Sequence, residues 1–444
     1  MTREELALSE ANGAQDDSEG LQFNSTRRAM KITKVEAIPL RVKQVDATAN
    51  DGAQETVIVR IHTDDGTTGI GEVDASPFMV KAVLEAPSSH NWSLSIQDML
   101  IGENPLDVER LWEKLYQGTI YTGRRGLVIH AMGAIDLALW DLAGKALGRP
   151  VFELLGGPRR EAVVPYASVH AALSSLAKTE RRTQEMMEKV LEMKFRAVKL
   201  QLVYADVYTD ADIVRLVRLA RRTLGDKIVF MIDVGYRWLD SKAAIWTLRQ
   251  LEECNLYLVE TPLRMDDLDG HARLAEAVTT RIAGAELLAS RWEALDLMDR
   301  GKVDVIQPDV GRAGGITECM RIAKLADQRG LLCTPHGWKS GLTIAAEIHF
   351  SAACPNVPFI EFMVPELWPS IIRSKLIRPE FTPQDGLIKL PKMPLTTQFD
   401  ASGSASRESR MAATSASTIP AISVRVTFSW SRIRARKIVT RGYR

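Results

Sequence analysis

The chain has 444 residues, 45% of them hydrophobic and 25% charged, with a formal net charge of +1. That length suits two or three domains with a sizeable core, and the balance excludes a disordered, collagen-like or strongly basic nucleic-acid-binding protein. No uninterrupted apolar run approaches the roughly 18 residues of a membrane span, and the polar, acidic start lacks a signal segment, so the expectation is a cytoplasmic protein with no membrane contact.

Residues 1–29 carry three Lys/Arg against six acids and show no hydrophobic period. They read as a disordered extension, either a flexible arm or sequence upstream of a true start at Met30. From 30 to 156 strands precede helices, an α+β order. Ile32, Val35 and Ile38 lead into an apolar strand. Residues 56–63 form a second, Asp64-Asp65-Gly66 a turn, and 68–72 its hairpin partner. The polar stretch 42–55 between the first two strands has few apolar anchors and predicts a mobile loop. Residues 128–147 read as an amphipathic helix with Ile135, Leu139 and Leu142 on one side, stopped at Gly148-Arg149-Pro150.

From 157 to 361 short apolar strands alternate with helical stretches. Predicted strand ends fall at Ser168, Gln201, Asp233, Glu260, Glu286, Asp309, His336 and Glu361. Eight such units at this spacing argue for an α/β barrel of the TIM type rather than an open sheet, because no Gly-x-Gly-x-x-Gly follows an early strand. Residues 362–400 keep a compact style, with a turn at Asp385-Gly386. Beyond 400 the sequence becomes Ser-, Ala- and Arg-rich, nine Lys/Arg against one acid. Segment 401–444 reads as a tail outside the fold, either extraneous or a basic interaction arm. The four cysteines, Cys254, Cys319, Cys333 and Cys354, have no metal-binding spacing and read as reduced, mostly buried thiols.

Acidic residues at successive strand ends carry the chemistry. Asp233, Glu260 and Glu286 close three consecutive apolar runs and would converge at the C-terminal mouth of a parallel barrel. Such a cluster repels itself unless a cation sits inside it, and all-oxygen ligands suit Mg²⁺. Asp309 and His336 end the next two strands, so the carboxylate can orient the imidazole as a general base near neutral pH. Glu361 follows around the ring, where neighbouring acids would keep it protonated as a hydrogen-bond donor to an oxyanion; a salt-bridged carboxylate is the alternative. Alternation puts Lys199 and Gln201 on one face of their strand. An inward Lys199 would meet a substrate carboxylate; the plainer alternative is a lysine paired with a nearby acid.

With these residues in order, the chain between about 30 and 400 resembles the enolase superfamily, specifically its mandelate racemase subgroup. The likeness rests on Asp233, Glu260 in Val-Glu-Thr-Pro, Glu286, the Asp309/His336 pair with Gly314-Gly315, and Glu361. Arg124-Arg125-Gly126 and Ala134 through Asp141 add to it. It implies a modified (β/α)7β barrel, with an N-terminal α+β capping domain over its mouth completed by the C-terminal segment. It also implies a Mg²⁺ enzyme that removes the proton α to a carboxylate and passes through an enediolate. Asp233, Glu260 and Glu286 would hold the metal, and His336, Asp309, Glu361 and Lys199 would act in catalysis. Gln201, Arg124, Glu72 and Trp338 would line the substrate, with specificity set by cap loops 42–55 and 72–81. The expected partners are a small-molecule carboxylate and further copies of the chain in a homo-oligomer, with no nucleic acid.

Two departures narrow the chemistry. The subgroup pattern Lys-x-Lys is here Lys199-Leu200-Gln201, and glutamine cannot accept a proton. Asp-x-Asn at the first metal ligand is here Asp233-Val234-Gly235. One-sided chemistry by His336 follows: dehydration of an aldonate or aldarate to a 2-keto-3-deoxy acid. A racemase, epimerase or cycloisomerase, or a non-catalytic metal-binding barrel, are the alternatives.

Overall fold

Three antiparallel strands and six helices, one of them deeply buried, build the cap among the described residues. The computed structural model describes residues 30–46, 54–171, 175–203, 208–376, 381–392 and 394–395. The extensions 1–29 and 401–444, and the centre of loop 42–55, lie outside the described residues.

The cap comprises β1 (Ile32–Arg41), β2 (Glu55–Thr63), β3 (Thr68–Val73), α1 (Pro77–Glu85), α2 (Ile96–Leu100), α3 (Val108–Gly118), α4 (Ile120–Gly123), α5 (Leu127–Leu147) and α6 (Val151–Leu154). β1, β2 and β3 form an antiparallel sheet in chain order, joined by the predicted hairpin. β3 lies directly on α5: a Cβ on Gly71 would stand 1.9 Å from the Ala134 carbonyl oxygen, so only glycine allows this approach. The single-stripe reading of α5 is corrected here, because it is buried on nearly every side. Its length and hydropathy match a membrane span, but 83% of that apolar window is buried inside the protein, as in a core helix.

The barrel follows as β4 (Ala162–Val163), β5 (Pro165–His170), α7 (Leu176–Glu192), β6 (Ala197–Gln201), α8 (Asp210–Leu224), β7 (Val229–Asp233), α9 (Ser241–Arg249), β8 (Leu258–Glu260), α10 (Leu268–Ala277), β9 (Arg281–Gly284), α11 (Arg291–Asp299), β10 (Val305–Ile306), α12 (Ile316–Asp327), β11 (Leu332–Cys333), α13 (Gly341–Ala353) and β12 (Ile360–Met363). Strands β5 to β11 pair in sequence, all parallel, and β12 returns beside β5. Outward residues such as Val198, Phe230, Ile232, Val259 and Ile306 belong to the large core shared with the helices. Inward, Tyr166, Ala197, Met231, Leu258, Ala283 and Val305 fill the barrel, one from each of six adjacent strands.

Strand period then places the chemistry. Two residues beyond this apolar layer, on the same inward face, come Ser168, Lys199, Asp233, Glu260 and Gln307. Several predicted strand ends need correcting. β5 runs on to His170, and Glu361 sits inside β12. Glu286, Asp309 and His336 stand two or three residues past β9, β10 and β11.

α14 (Ile371–Leu376) and β13 (Ile388–Lys389) follow. β13 pairs antiparallel with β4, after the Asp385-Gly386 turn in which both residues have positive φ (51° and 74°). The chain then reaches the cap, with Pro394 packed against Gly144 of α5. The four cysteines are free and buried, as expected.

Candidate active site at the barrel mouth

The imidazole of His336 is bound through Nδ1 to Asp309 Oδ2 at 2.6 Å. This pair forms because β10 and β11 are parallel neighbours, extended past their ladder by a bridge between the two residues. Asp309 is fully buried and its Oδ1 accepts the backbone N–H groups of Gly311 (2.6 Å) and Arg312 (3.1 Å). Burial pulls the imidazole pKa down, but the Asp309 hydrogen bond and the charges of Glu361 and Asp309 outweigh it and raise it to about 9. The expected base near neutrality is therefore held more strongly protonated. Nε2 is the outer nitrogen, 3.9 Å from Glu361 Oε2.

Glu361 takes the salt-bridged alternative rather than the protonated one. It accepts from Ser168 Oγ at 2.7 Å and Gly337 N at 3.2 Å, and Lys199 Nζ lies 2.8 Å away. Burial would raise its pKa, but Lys199 and His336 bring it to about 2, so Glu361 is an ionised acceptor, not a protonated donor. Lys199 also reaches Glu260 Oε2 at 2.7 Å and Tyr166 OH at 3.3 Å. It is fully buried between the two carboxylates, the acid-paired alternative, and their charges overcome desolvation to raise its pKa. One ammonium thus joins the acid cluster to the His336 side.

The three candidate metal ligands stand at the ends of the adjacent strands β7 and β8 and two residues past β9, with Asp233 in register with Glu260. Burial, then the charge of Glu260, drives the Asp233 carboxyl well above its usual range, and Glu286 adds to it. Burial likewise raises Glu260. A buried, self-repelling, all-oxygen set fits a hard dication. Here the carboxylates rest on protein partners. Gln307 Nε2 donates to Glu260 Oε2 at 2.6 Å, and Gly235 N to Asp233 Oδ1 at 2.9 Å. Tyr236 OH and Thr261 Oγ1 donate to the two oxygens of Glu286 at 2.5 and 2.9 Å. Among the described residues no three acid, His or Cys groups are drawn around one point.

The four predicted substrate contacts divide. Gln201 lies at the mouth, its Nε2 donating to Ser168 Oγ at 3.0 Å. Trp338 is half-buried, 6.2 Å from the Trp368 ring, which meets His170 edge-on at 5.5 Å, giving an aromatic wall. Glu72 is corrected: fully buried, it accepts from Thr56 on one oxygen and from Ser340 and Thr343 on the other, tying β3 to α13. Arg124 is exposed beyond α4, and no hydrogen bond or ion pair among the described residues links it to the carboxylates. The first residues of the predicted cap loop contribute Asp74 instead, which pairs with Arg312 and, at 2.9 Å, with Lys339.

Sequence reasoning named Ser168 only as a strand end and assigned no site role to it, Gln307, Tyr236 or Thr261. Period-two counting from Tyr166 and Val305 reaches the first two; the others depend on turns.

A family profile described as Mandelate racemase / muconate lactonizing enzyme, N-terminal domain, matches residues 30–156, and one described as Enolase C-terminal domain-like matches 182–394. Arabinonate dehydratase of Saccharolobus solfataricus is 30% identical over 346 residues, 77% of this chain and 87% of that protein. D-galactarolactone cycloisomerase of Agrobacterium fabrum is 30% identical over 76% of this chain and 87% of its own. L-talarate/galactarate dehydratase of Salmonella typhimurium is 30% identical over 73% and 78%. Among solved structures, a mandelate racemase/muconate lactonizing enzyme-like protein from Rubrobacter xylanophilus superposes with a TM-score of 0.74 at 28% identity, covering 87% of this chain and 98% of that one. A racemase from Streptomyces coelicolor with bound magnesium gives 0.69 at 25%, covering 82% and 95%. The chain belongs to the enolase superfamily, in its mandelate racemase subgroup.

Proposed function

We propose that this protein is a Mg²⁺-dependent lyase that dehydrates a sugar acid, an aldonate or aldarate, to a 2-keto-3-deoxy acid. The observation that carries the reading is the Asp309–His336 pair at 2.6 Å, combined with a glutamine at the end of β6. His336 has a charge partner and an outer nitrogen; Gln201 offers an amide that accepts no proton. Catalysis by one imidazole is what that asymmetry supports. Two dehydratases of sugar acids among the relatives, and a neighbour with bound magnesium, support the same reading.

Asp233, Glu260 and Glu286 would hold the ion, which supplies a Lewis acid for the substrate carboxylate. Neutral His336 takes the proton α to the carboxylate through Nε2, and Asp309 stabilises the resulting imidazolium. The same imidazolium returns its proton to the departing β-hydroxyl, which leaves as water. The enol that remains tautomerises to the 2-keto acid, so atoms and charge balance. Lys199 holds Glu361 ionised on the same side of the site.

The test is a sugar-acid library with Mg²⁺, read for 2-keto acid formation and for exchange of the α-hydrogen with deuterium. At least one acid should turn over, and His336→Asn should abolish product and exchange while leaving metal binding intact. Exchange persisting in His336→Asn would sink the assignment of the base. The cycloisomerase relative keeps a second reading open. Lactone or racemised product without 2-keto acid selects it, and metal binding with neither exchange nor product selects a non-catalytic barrel.

A further inference from the structure

We propose that Tyr236 is a positioning residue for Glu286, replacing the polar side chain that this chain lacks at Gly235. The proposal rests on the metal reading above.

Four observations meet at this turn. Gly235 and Tyr236 both have positive φ, 49° and 59°, immediately after Asp233. A tyrosine in that region is strained by roughly 1 kcal/mol or more, and such strain persists only where surroundings impose it. The turn is pinned to the next strand end, where Tyr236 N donates to Thr261 O at 2.7 Å and Trp238 N to Pro262 O at 3.2 Å. The resulting direction carries the phenol across to Glu286 Oε1 at 2.5 Å.

Gly235 leaves no room for a side chain. A Cβ there would stand 2.8 Å from Val203 Cγ1 and 2.9 Å from Val203 Cβ. Val203 thus occupies the space that an asparagine side chain would need. The polar group beside the acids comes instead from the next residue, reached by a left-handed turn.

Glu286 is held from both sides. Thr261, itself at φ 47°, donates to Oε2 at 2.9 Å while Tyr236 takes Oε1. Ala285, the residue before Glu286, has φ 115°. Three strained non-glycine residues therefore surround one carboxylate at adjacent strand ends. A carboxylate with both oxygens oriented by hydroxyl donors presents its remaining lone pairs in fixed directions, the usual task of groups behind a metal ligand.

The test uses Mn²⁺ as probe on the full chain without substrate, comparing wild type and Tyr236→Phe by calorimetric titration and by paramagnetic counting of free ion. The phenylalanine keeps the ring and removes only the hydroxyl. Mn²⁺ affinity should fall by about 10-fold or more, while the melting temperature of the metal-free protein stays at the wild-type value. The rise in melting temperature on adding Mn²⁺ should shrink in parallel. If wild type and Tyr236→Phe bind Mn²⁺ equally, the proposal is overturned and the metal reading stands. If wild type binds no Mn²⁺, both fall together. A metal-free variant that melts well below wild type with unchanged affinity would make the hydroxyl structural and also overturns it.

Discussion

On the proposed mechanism Asp309 would act on the substrate only through His336, and its contribution would show in pH rather than in binding. Its hydrogen bond and charge raise the imidazole, which burial and Arg312 lower. kcat/KM should rise with pH as His336 loses its proton. Asp309→Asn removes the raising interactions, so that limb should move to lower pH by about one unit or more, with a lower plateau. A pH–rate profile of the two proteins with the active sugar acid checks this; an unmoved limb would detach Asp309 from the base. Lys199 illustrates why residue roles depend on neighbours. Alone it is a cation for a substrate carboxylate; between Glu260 and Glu361 it is a counter-charge that sets which acids stay ionised.

The cap is held to the barrel at the level of elements, through α5. Trp140 Nε1 donates to Thr317 Oγ1 at 2.9 Å, and Asp136 Oδ2 accepts from Thr317 N at 3.0 Å, so α5 docks on the start of α12. Trp112 of α3 adds a bond to the Gly314 carbonyl at 2.7 Å. α5 keeps that position because β3 approaches it without side chains at Gly69 and Gly71. Gly71→Ala drives a methyl into the Ala134 carbonyl and should cost about 1–3 kcal/mol or more, seen as a lower urea midpoint. A change below about 0.5 kcal/mol would mean that the β3–α5 packing yields.

For the molecule as a whole, buried histidine governs part of the acid response. His349 of α13 is fully buried, accepts from Phe152 N at 3.3 Å and stacks on the Phe152 ring. Burial lowers its pKa from 6.5 to about 3. The unfolded chain therefore takes up this proton more readily than the folded one. Stability is full above about pH 6.5 and is lost as pH falls through the window toward 3. His349→Gln should flatten the loss by up to about 1.4 kcal/mol per pH unit, measured by urea unfolding between pH 7 and 5; an unchanged slope would exclude His349 as a source. At the same scale, removal of 401–444 should leave 2-keto acid formation intact, since the family match ends at 394. Lost turnover or altered assembly would assign the tail a role.

Much of this protein was legible without coordinates. Period-two alternation and recurring strand spacing identified the barrel, because a buried parallel strand leaves an apolar run and places its polar end at the mouth. The same logic placed Asp233 and Glu260 at strand ends, whereas Asp309 and His336 stand three residues beyond theirs. Tertiary structure decided what sits beside them. Glu72 carries the same carboxylate as the site acids, but β3 buries it against α13. Arg124 lies in a family-like motif, yet α4 ends with it facing solvent. Glu361 is ionised because Lys199, from a strand about 160 residues earlier, lies 2.8 Å away. Tyr236 reaches Glu286 only because its turn is left-handed. Local pattern determines which face of a strand a residue takes; partners, charge states and turn direction belong to contacts between segments distant in the chain.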